Sequence, residues 1–370
     1  MRLPGTRKRK RRTKGTEELV VRGHYEKLVA YHRRGKPVAR VANAMLGAKV
    51  GDIRANAARA LGTIAEDDAE AVLGTVPRLV RLLNDESARV RGNAAGALSV
   101  IGEGYPEAVK RGVPRLVRLL KDMDAVVRGN AARALSVIGE CDAETMEHAV
   151  PRLVKLLSDE DAYVRGIAAW ALRSIGESDA EAVKIAASRL VRLLDDGDRY
   201  VRSQAASVLA VIGESDVEAV RPAIPGLVRL LEDGDGDVRL HAVVALERVS
   251  ESDADAVTEA VPNLIRLLED GDATVRVHAA WALLEIAASD ADAVKIAVPN
   301  LTRLLDDEQA GVRYSAALAL QRITDGDGNG VKETAVRLAG LVDRRDAFVR
   351  GDAAGLFDIV SEDPVVDVED

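Results

Sequence analysis

Residues 76–102 read VPRLVRLLNDESARVRGNAAGALSVIG, and the pattern in this stretch decides the fold. Pro77 stands ahead of Leu79, Val80, Leu82 and Leu83, an apolar set at helical spacing. Proline is tolerated in a first helical turn, where its missing donor would be unpaired anyway. A polar break follows at Asn84, Asp85, Glu86 and Ser87. Then Val90, Ala94, Ala97, Leu98 and Ile101 fall on one narrow face of a second helix, and Gly102 stands where a left-handed helix stop is expected.

Outward from this stretch the pattern repeats. The pair Val90 and Arg91 returns every 37 residues, with Val at 127, 164, 201, 238, 275, 312 and 349, and the register read backwards lands on Ile53 and Arg54. Nine in-phase units account for most of the 370 residues. A fixed period of this size marks a stacked-repeat solenoid, in which each unit packs on its neighbours, so one elongated domain is expected. Residues 1–16 are read as a basic disordered tail and 17–38 as a capping helix, running from about Glu17 to Arg34 over the open end of the array. The nine units fill 39–361, the last incomplete, and 362–370 form an acidic tail.

Within each unit the polar break carries Asp124, Asp161, Asp198, Asp235, Asp272 or Asp346, four residues before the repeat arginine. Aspartate there caps the second helix and stands within pairing reach of the arginine one turn on. Ser178 with Glu181, and Ser215 with Glu218, have the spacing of capping boxes that open the next unit. Cys141 occupies the equivalent position, which favours a loop or capping role over catalysis. The segment before the proline, as in 179–187, has room for a short extra helix.

Hydrophobic residues make up 47% of the chain and aromatics only 3%, so the core is built from Ala, Val, Leu and Ile, which suits closely packed helices. A single cysteine excludes an intramolecular disulfide, and no apolar run reaches the roughly 18 residues that a membrane-spanning helix requires. The N-terminus lacks the apolar stretch of a signal peptide, so a cytoplasmic, monomeric protein with no membrane association is expected. Residues 1–40 hold 14 Lys or Arg against three Glu, leaving a net charge of −19 on the remainder within a total of −8. The acidic, lysine-poor body is similar to the proteins of salt-loving archaea, although charge speaks to solubility and not to fold. Arg7, Lys8, Arg9, Lys10, Arg11 and Arg12 offer nucleic acid a non-specific phosphate contact; the alternative is a solvated end.

The order Pro, Leu-x-x-Leu-Leu, Asp, Val-Arg-x-x-Ala-Ala-x-Ala-Leu-x-x-Ile-Gly resembles the HEAT repeat family, from Ala39 to the C-terminus. Ser188 and Val336 replace the proline in two units, and Val50 and Gln309 replace the capping Asp. The extra pre-proline helix gives the unit an armadillo-like flavour. The resemblance implies an all-α, right-handed superhelical solenoid of helical hairpins whose concave face binds a protein partner.

Subtracting the constant positions isolates a variable strip. At 100° per residue, positions 89, 93, 96 and 100 lie well away from the core face of the second helix. The 93 column contains Asn56, Asn93, Asn130, Gln204, His241 and His278, and both tryptophans, Trp170 and Trp281, share the 96 column. Tyr163, Tyr200 and Phe348 share the 89 column. Aromatic residues anchor interfaces, so Tyr163, Trp170, Tyr200, Gln204, His241, His278 and Trp281 form the candidate partner-binding groove; the bland alternative is that the rings fill gaps between units.

No metal site, cofactor or catalytic residue is expected. His241 and His278 sit on neighbouring helices, whose axes stand roughly 8–10 Å apart, too far to share one ion comfortably. Residues 325–330, DGDGNG, match half of a calcium loop, but its twelfth position is Val336 where Glu is needed, and a turn is the simpler reading. Among enzymes of similar architecture, deoxyhypusine hydroxylase relies on His-Glu pairs, and this chain has no such dipeptide. HEAT-like DNA glycosylases pair a basic concave surface with Trp, Asp and Arg; Trp170 and Arg133 keep that reading in view, while the acidic body opposes it. Nothing speaks for the pigment site of a phycobilin lyase. A non-enzymatic interaction scaffold is the leading expectation, followed by tethering to nucleic acid through the tail, then a glycosylase or lyase activity.

Overall fold

The computed structural model describes residues 15–139, 146 and 148–324. The basic tail with Arg7 to Arg12, Cys141, residues 325–330, Phe348, the ninth unit and the acidic C-terminal tail lie outside these residues. The chain divides into two compact units, Met1–Arg189 and Leu190–Asp370. Among the described residues each unit is all helical, without strands, and is built from stacked helical hairpins.

The hairpins follow the sequence register. First helices such as Val76–Leu82, Val113–Leu119 and Ile224–Leu230 have seven residues, and each is followed by a long second helix such as Ala88–Gly104, Ala125–Gly139 or Gly236–Ser252. Ahead of six of the described first helices, those starting at residues 76, 113, 187, 224, 261 and 298, runs a 3-10 turn, preceded in several repeats by one turn of α-helix, as at Ala180–Val183 and Lys184–Ala186. Proline explains this bend where it is present, since its ring blocks the carbonyl one turn back and it donates no hydrogen bond. The expected extra helix is therefore present. In the first unit the second helices Gly51–Ala65, Ala88–Gly104, Ala125–Gly139 and Ala162–Gly176 pack in succession; in the other, Arg199–Ser215, Gly236–Ser252, Ala273–Ser289 and Ala310–Thr324 do the same. Their cores are the constant columns: Val90, Ala94, Leu98 and Ile101, with Leu79 and their described repeats apart from half-buried Ile53, are sealed from water.

Four details differ from the expectations. Gly23, at a φ of +67°, breaks the N-terminal helix into residues 15–22 and Tyr25–Arg33, because that backbone region favours glycine. Gly102 does not stop its helix, which runs to Gly104. It is there for close packing, since a Cβ would stand 3.1 Å from Val109 and 3.2 Å from Val137. The expected capping boxes are displaced by one residue: Asp179 accepts from Ala182 N–H and Asp216 from Ala219 N–H, while Ser215 is still inside the preceding helix.

The fourth difference concerns the arginines. The capping Asp does accept N–H groups of the second helix's first turn, as Asp198 does from Tyr200 and Val201, but the repeat arginine pairs elsewhere. Arg54, Arg91 and Arg128 in the first unit reach Asp85, Asp122 and Asp159 of the following repeat. Arg202, Arg239 and Arg276 reach Asp233, Asp270 and Asp307 in the second. Each fork is bidentate; Arg128 Nε and Nη2 donate at 2.8 and 2.7 Å. The third nitrogen, Nη1, donates to carbonyls of the arginine's own loop, Asp122 and Met123 for Arg128. Each of these six arginines thus ties one interhelical turn to the next.

Candidate functional site

The second helices expose one edge. Around Ala88–Gly104, Val90, Ala94, Ala95, Ala97, Leu98 and Ile101 are buried, whereas Arg89 is exposed and Asn93, Gly96 and Val100 are half-buried. The helical period produces this edge, and it is the variable strip.

In the first unit, much of the strip is occupied by the chain's own contacts. Asn93 Nδ2 donates to the Ala55 carbonyl at 2.9 Å and Asn130 Nδ2 to Gly92 at 3.0 Å, each reaching back 38 positions onto the previous second helix. Asn56 donates to Val21 and accepts from Tyr25 and Arg89, while the Arg59 guanidinium lies 4.9 Å from the Tyr25 ring centre. Arg133 pairs with Glu103. These asparagines join adjacent helices. Farther along, the strip becomes apolar and open: Tyr163 is 47% exposed and Val126 60%, and Met123, in the turn just ahead of Ala125–Gly139, is 95% exposed. The Tyr163 ring lies on the backbone of the preceding second helix, because position 129 is glycine; a Cβ there would stand 2.5 Å from the ring. Trp170 is half-buried two turns along, and Ile167 between them is buried. Val126 and Met123 were missed by a search for aromatic residues, although Val126 belongs to the same column as Tyr163.

In the second unit, Tyr200 is exposed and Gln204 half-buried, with its Oε1 buried and accepting no hydrogen bond among the described residues. His241 Nδ1 lies 2.7 Å from the Asp237 carbonyl and 3.0 Å from Ser203 Oγ. His278 Nδ1 meets Glu247 Oε2 at 2.5 Å. Trp281 stands edge-on to Tyr314, with ring centres 6.4 Å apart. Beyond it, Leu284, Glu285, Ala288, Leu318, Gln321 and Arg322 line a cavity of about 260 Å³. Burial pushes the Glu285 carboxyl up, and the negative charges of Glu251 and Glu247 add to this against Arg322. The sequence-selected residues thus share one helix edge within each unit, and the histidines there also bridge neighbouring helices. Among the described residues no three His, Cys, Asp or Glu side chains are grouped as a metal site. No described helix is long and apolar enough to cross a membrane.

Comparisons with known proteins agree with this architecture. A family model described as HEAT repeats matches residues 113–210, 186–258, 224–296 and 261–356, and one described as HEAT-like repeat matches 52–101. Among solved structures, an engineered protein is similar at 29% identity, with 94% of this chain and 95% of that chain covered and a TM-score of 0.79. A second engineered protein is 32% identical over 58% of this chain and 97% of its own, with a TM-score of 0.54. A designed armadillo repeat protein in complex with the peptide (KR)4 is 27% identical over 57% of this chain and 99% of its own, with a TM-score of 0.53. A comparison with curated proteins gives no match.

Proposed function

Because the chain belongs to the HEAT repeat family, we propose that it is a non-enzymatic scaffold that holds a protein partner along the outward edge of its second helices, the concave side in solenoids of this family. The observation that carries this reading is the open apolar pair Val126 and Tyr163, with Met123 in the adjoining turn, on an edge of the first unit whose Asn93 and Asn130 are taken up by the chain's own hydrogen bonds. Exposed aromatic and aliphatic side chains on rigid helices lose little freedom on binding and anchor interfaces. Tyr200 and Trp281 supply the corresponding anchors in the second unit, with Gln204, His241 and His278 as polar neighbours. Gln204 brings a carbonyl that pays for its burial without a donor, and a partner N–H would satisfy it. The designed armadillo protein bound to (KR)4 supports an extended segment as the form of the partner.

The test is capture of partners from the native source, with and without nuclease, by the intact chain and by Tyr163→Ala and Trp170→Ala. Anchors of this kind contribute about 2 kcal/mol or more, so each variant is expected to lose roughly 30-fold in affinity. A partner held equally well by both variants would remove the strip of the first unit from the interface. Loss of capture on nuclease treatment would instead favour the basic tail.

A further inference from the structure

The first-helix side of the first unit carries a second surface, independent of the strip. Arg111, Val113, Pro114, Val117, Arg118, His148, Pro151 and Arg152 border a groove of about 930 Å³ between the first helices Val113–Leu119 and Val150–Leu156, closed at one end by Lys110, which faces Glu107 at 3.9 Å. Its floor is apolar and its rim cationic.

The charge of that rim is particular to this unit. In the second unit the outward arginines of the first helices are neutralised from the preceding repeat: Arg229 pairs with Asp195, Arg266 with Glu232 and Arg303 with Glu269. The same register in the first unit places Asn84 opposite Arg118 and Lys121 opposite Lys155. Among the described residues Arg118 accordingly meets the Asn84 amide oxygen, at 3.4 Å, and Arg152 the Val117 carbonyl, at 3.1 Å. Neither neutral contact cancels the charge. In a chain of net charge −8 this is a local inversion of sign beside an apolar floor.

We propose that this groove seats an acidic segment of a partner protein, with carboxylates on Arg111, Arg118 and Arg152 and an apolar side chain on Val113, Val117 and Pro114. Guanidinium forks favour carboxylates geometrically, and the apolar floor gives the segment a seat that charge alone would not. A nucleic acid fits less well, because a long polyanion tracks an extended cationic surface and the rest of the body is acidic.

The experiment uses the full chain and a fluorescein-labelled glutamate peptide with leucine at every third position, followed by fluorescence anisotropy. Binding is expected to weaken about tenfold or more in Arg111→Glu and in Arg118→Glu, both at exposed positions, with circular dichroism as the check that each variant keeps the fold. It is expected to be unchanged in Arg303→Glu, since Arg303 is already paired with Glu269, and in Tyr163→Ala, so that failure of the strip and failure of the groove are distinguishable. Absence of binding at millimolar peptide, or binding indifferent to Arg118→Glu, would overturn the proposal. So would equal binding of a leucine-free polyglutamate, which leaves the floor no role, or tighter binding of a short single-stranded DNA through the same arginines, which makes the groove a phosphate site.

Discussion

Arg128 shows how one residue serves two repeats. Its side chain is 10% exposed and that of Asp159 8%, so the pair is nearly dry and every guanidinium nitrogen has an acceptor. Removing one partner of such a pair strands the other. Arg128→Ala is expected to cost about 2–3 kcal/mol in the local stability read by hydrogen exchange across residues 113–176, less than for a fully buried pair because water reaches the rim. Arg89→Ala removes an exposed pair with Asp52 and is expected to cost under about 1 kcal/mol; equal costs at the two sites would refute the ladder's energetic role. The ladder also titrates. Burial raises the carboxyls of Asp85, Asp122, Asp233 and Asp270, but hydrogen bonds from arginine and loop N–H groups and the guanidinium charge outweigh it and hold all four below the ordinary 3.8. A carboxyl held lower in the folded chain stabilises it fully above the unfolded value and loses that contribution as pH falls through the folded one. Melting temperature is therefore expected to drop below about pH 4, with a shallower drop in Asp122→Asn. Glu285 has the opposite sign: its carboxyl is raised above the ordinary 4.5, so the folded chain binds that proton more tightly and loses stability as pH rises through the raised value. Glu285→Gln is expected to raise the melting temperature at neutral pH and to leave it unchanged well below 4.5; an unchanged value at neutral pH would count against the repulsion from Glu251 and Glu247.

At the scale of the element, glycine separates helix propensity from packing. Gly92 and Gly129 lie inside second helices, where alanine is intrinsically better by roughly 1 kcal/mol, and Gly139 is the last residue of Ala125–Gly139. A Cβ at Gly92 would meet Val127 at an ordinary 3.5 Å, so Gly92→Ala is expected to stabilise. At Gly139 the same atom would stand 2.5 Å from buried Ile175, and Gly139→Ala is expected to destabilise by about 1–3 kcal/mol, which urea denaturation of the two variants resolves. At Gly129 the obstacle is the exposed Tyr163 ring, which swings out at little cost. Gly129→Ala should thus leave stability nearly unchanged while impairing any partner held through Tyr163. The hairpin, the proline in the first helical turn and the buried columns were legible from residues 76–102 because each arises within about 27 residues of chain. The arginine's partner was not, since it lies 31 positions onward and only the pitch of the stack brings it near. The caps at Asp179 and Asp216 were misplaced by one residue for a related reason: helix ends are set by where the preceding helix unwinds, and adjacent serine and aspartate both suit the cap.

For the whole molecule, the exposed edge of the second helices follows from the 3.6-residue period, so the exposure of Tyr163 and Tyr200 was readable in advance. The occupation of Asn93 and Asn130 by neighbouring backbone was not, because a column that varies between repeats can still serve the stack. The charge distribution yields the last prediction. Outside residues 1–40 the net charge is −19, and much of it lies on exposed loop and cap carboxylates, whereas the ladder pairs are largely shielded from water. Added salt screens the exposed repulsion first: the Debye length falls from about 10 Å at 0.1 M to about 3 Å at 1 M, while nearly dry pairs are screened far less. The melting temperature is therefore expected to rise with NaCl at pH 7.5. Near the pI of about 5.4 the net repulsion vanishes and the exposed ion pairs remain, so the same salt series should become flat or fall. Calorimetry at the two pH values separates these outcomes. A melting temperature that falls with salt at pH 7.5 would mean that exposed ion pairs outweigh the repulsion, and the acidic body would then contribute nothing to tolerance of concentrated salt.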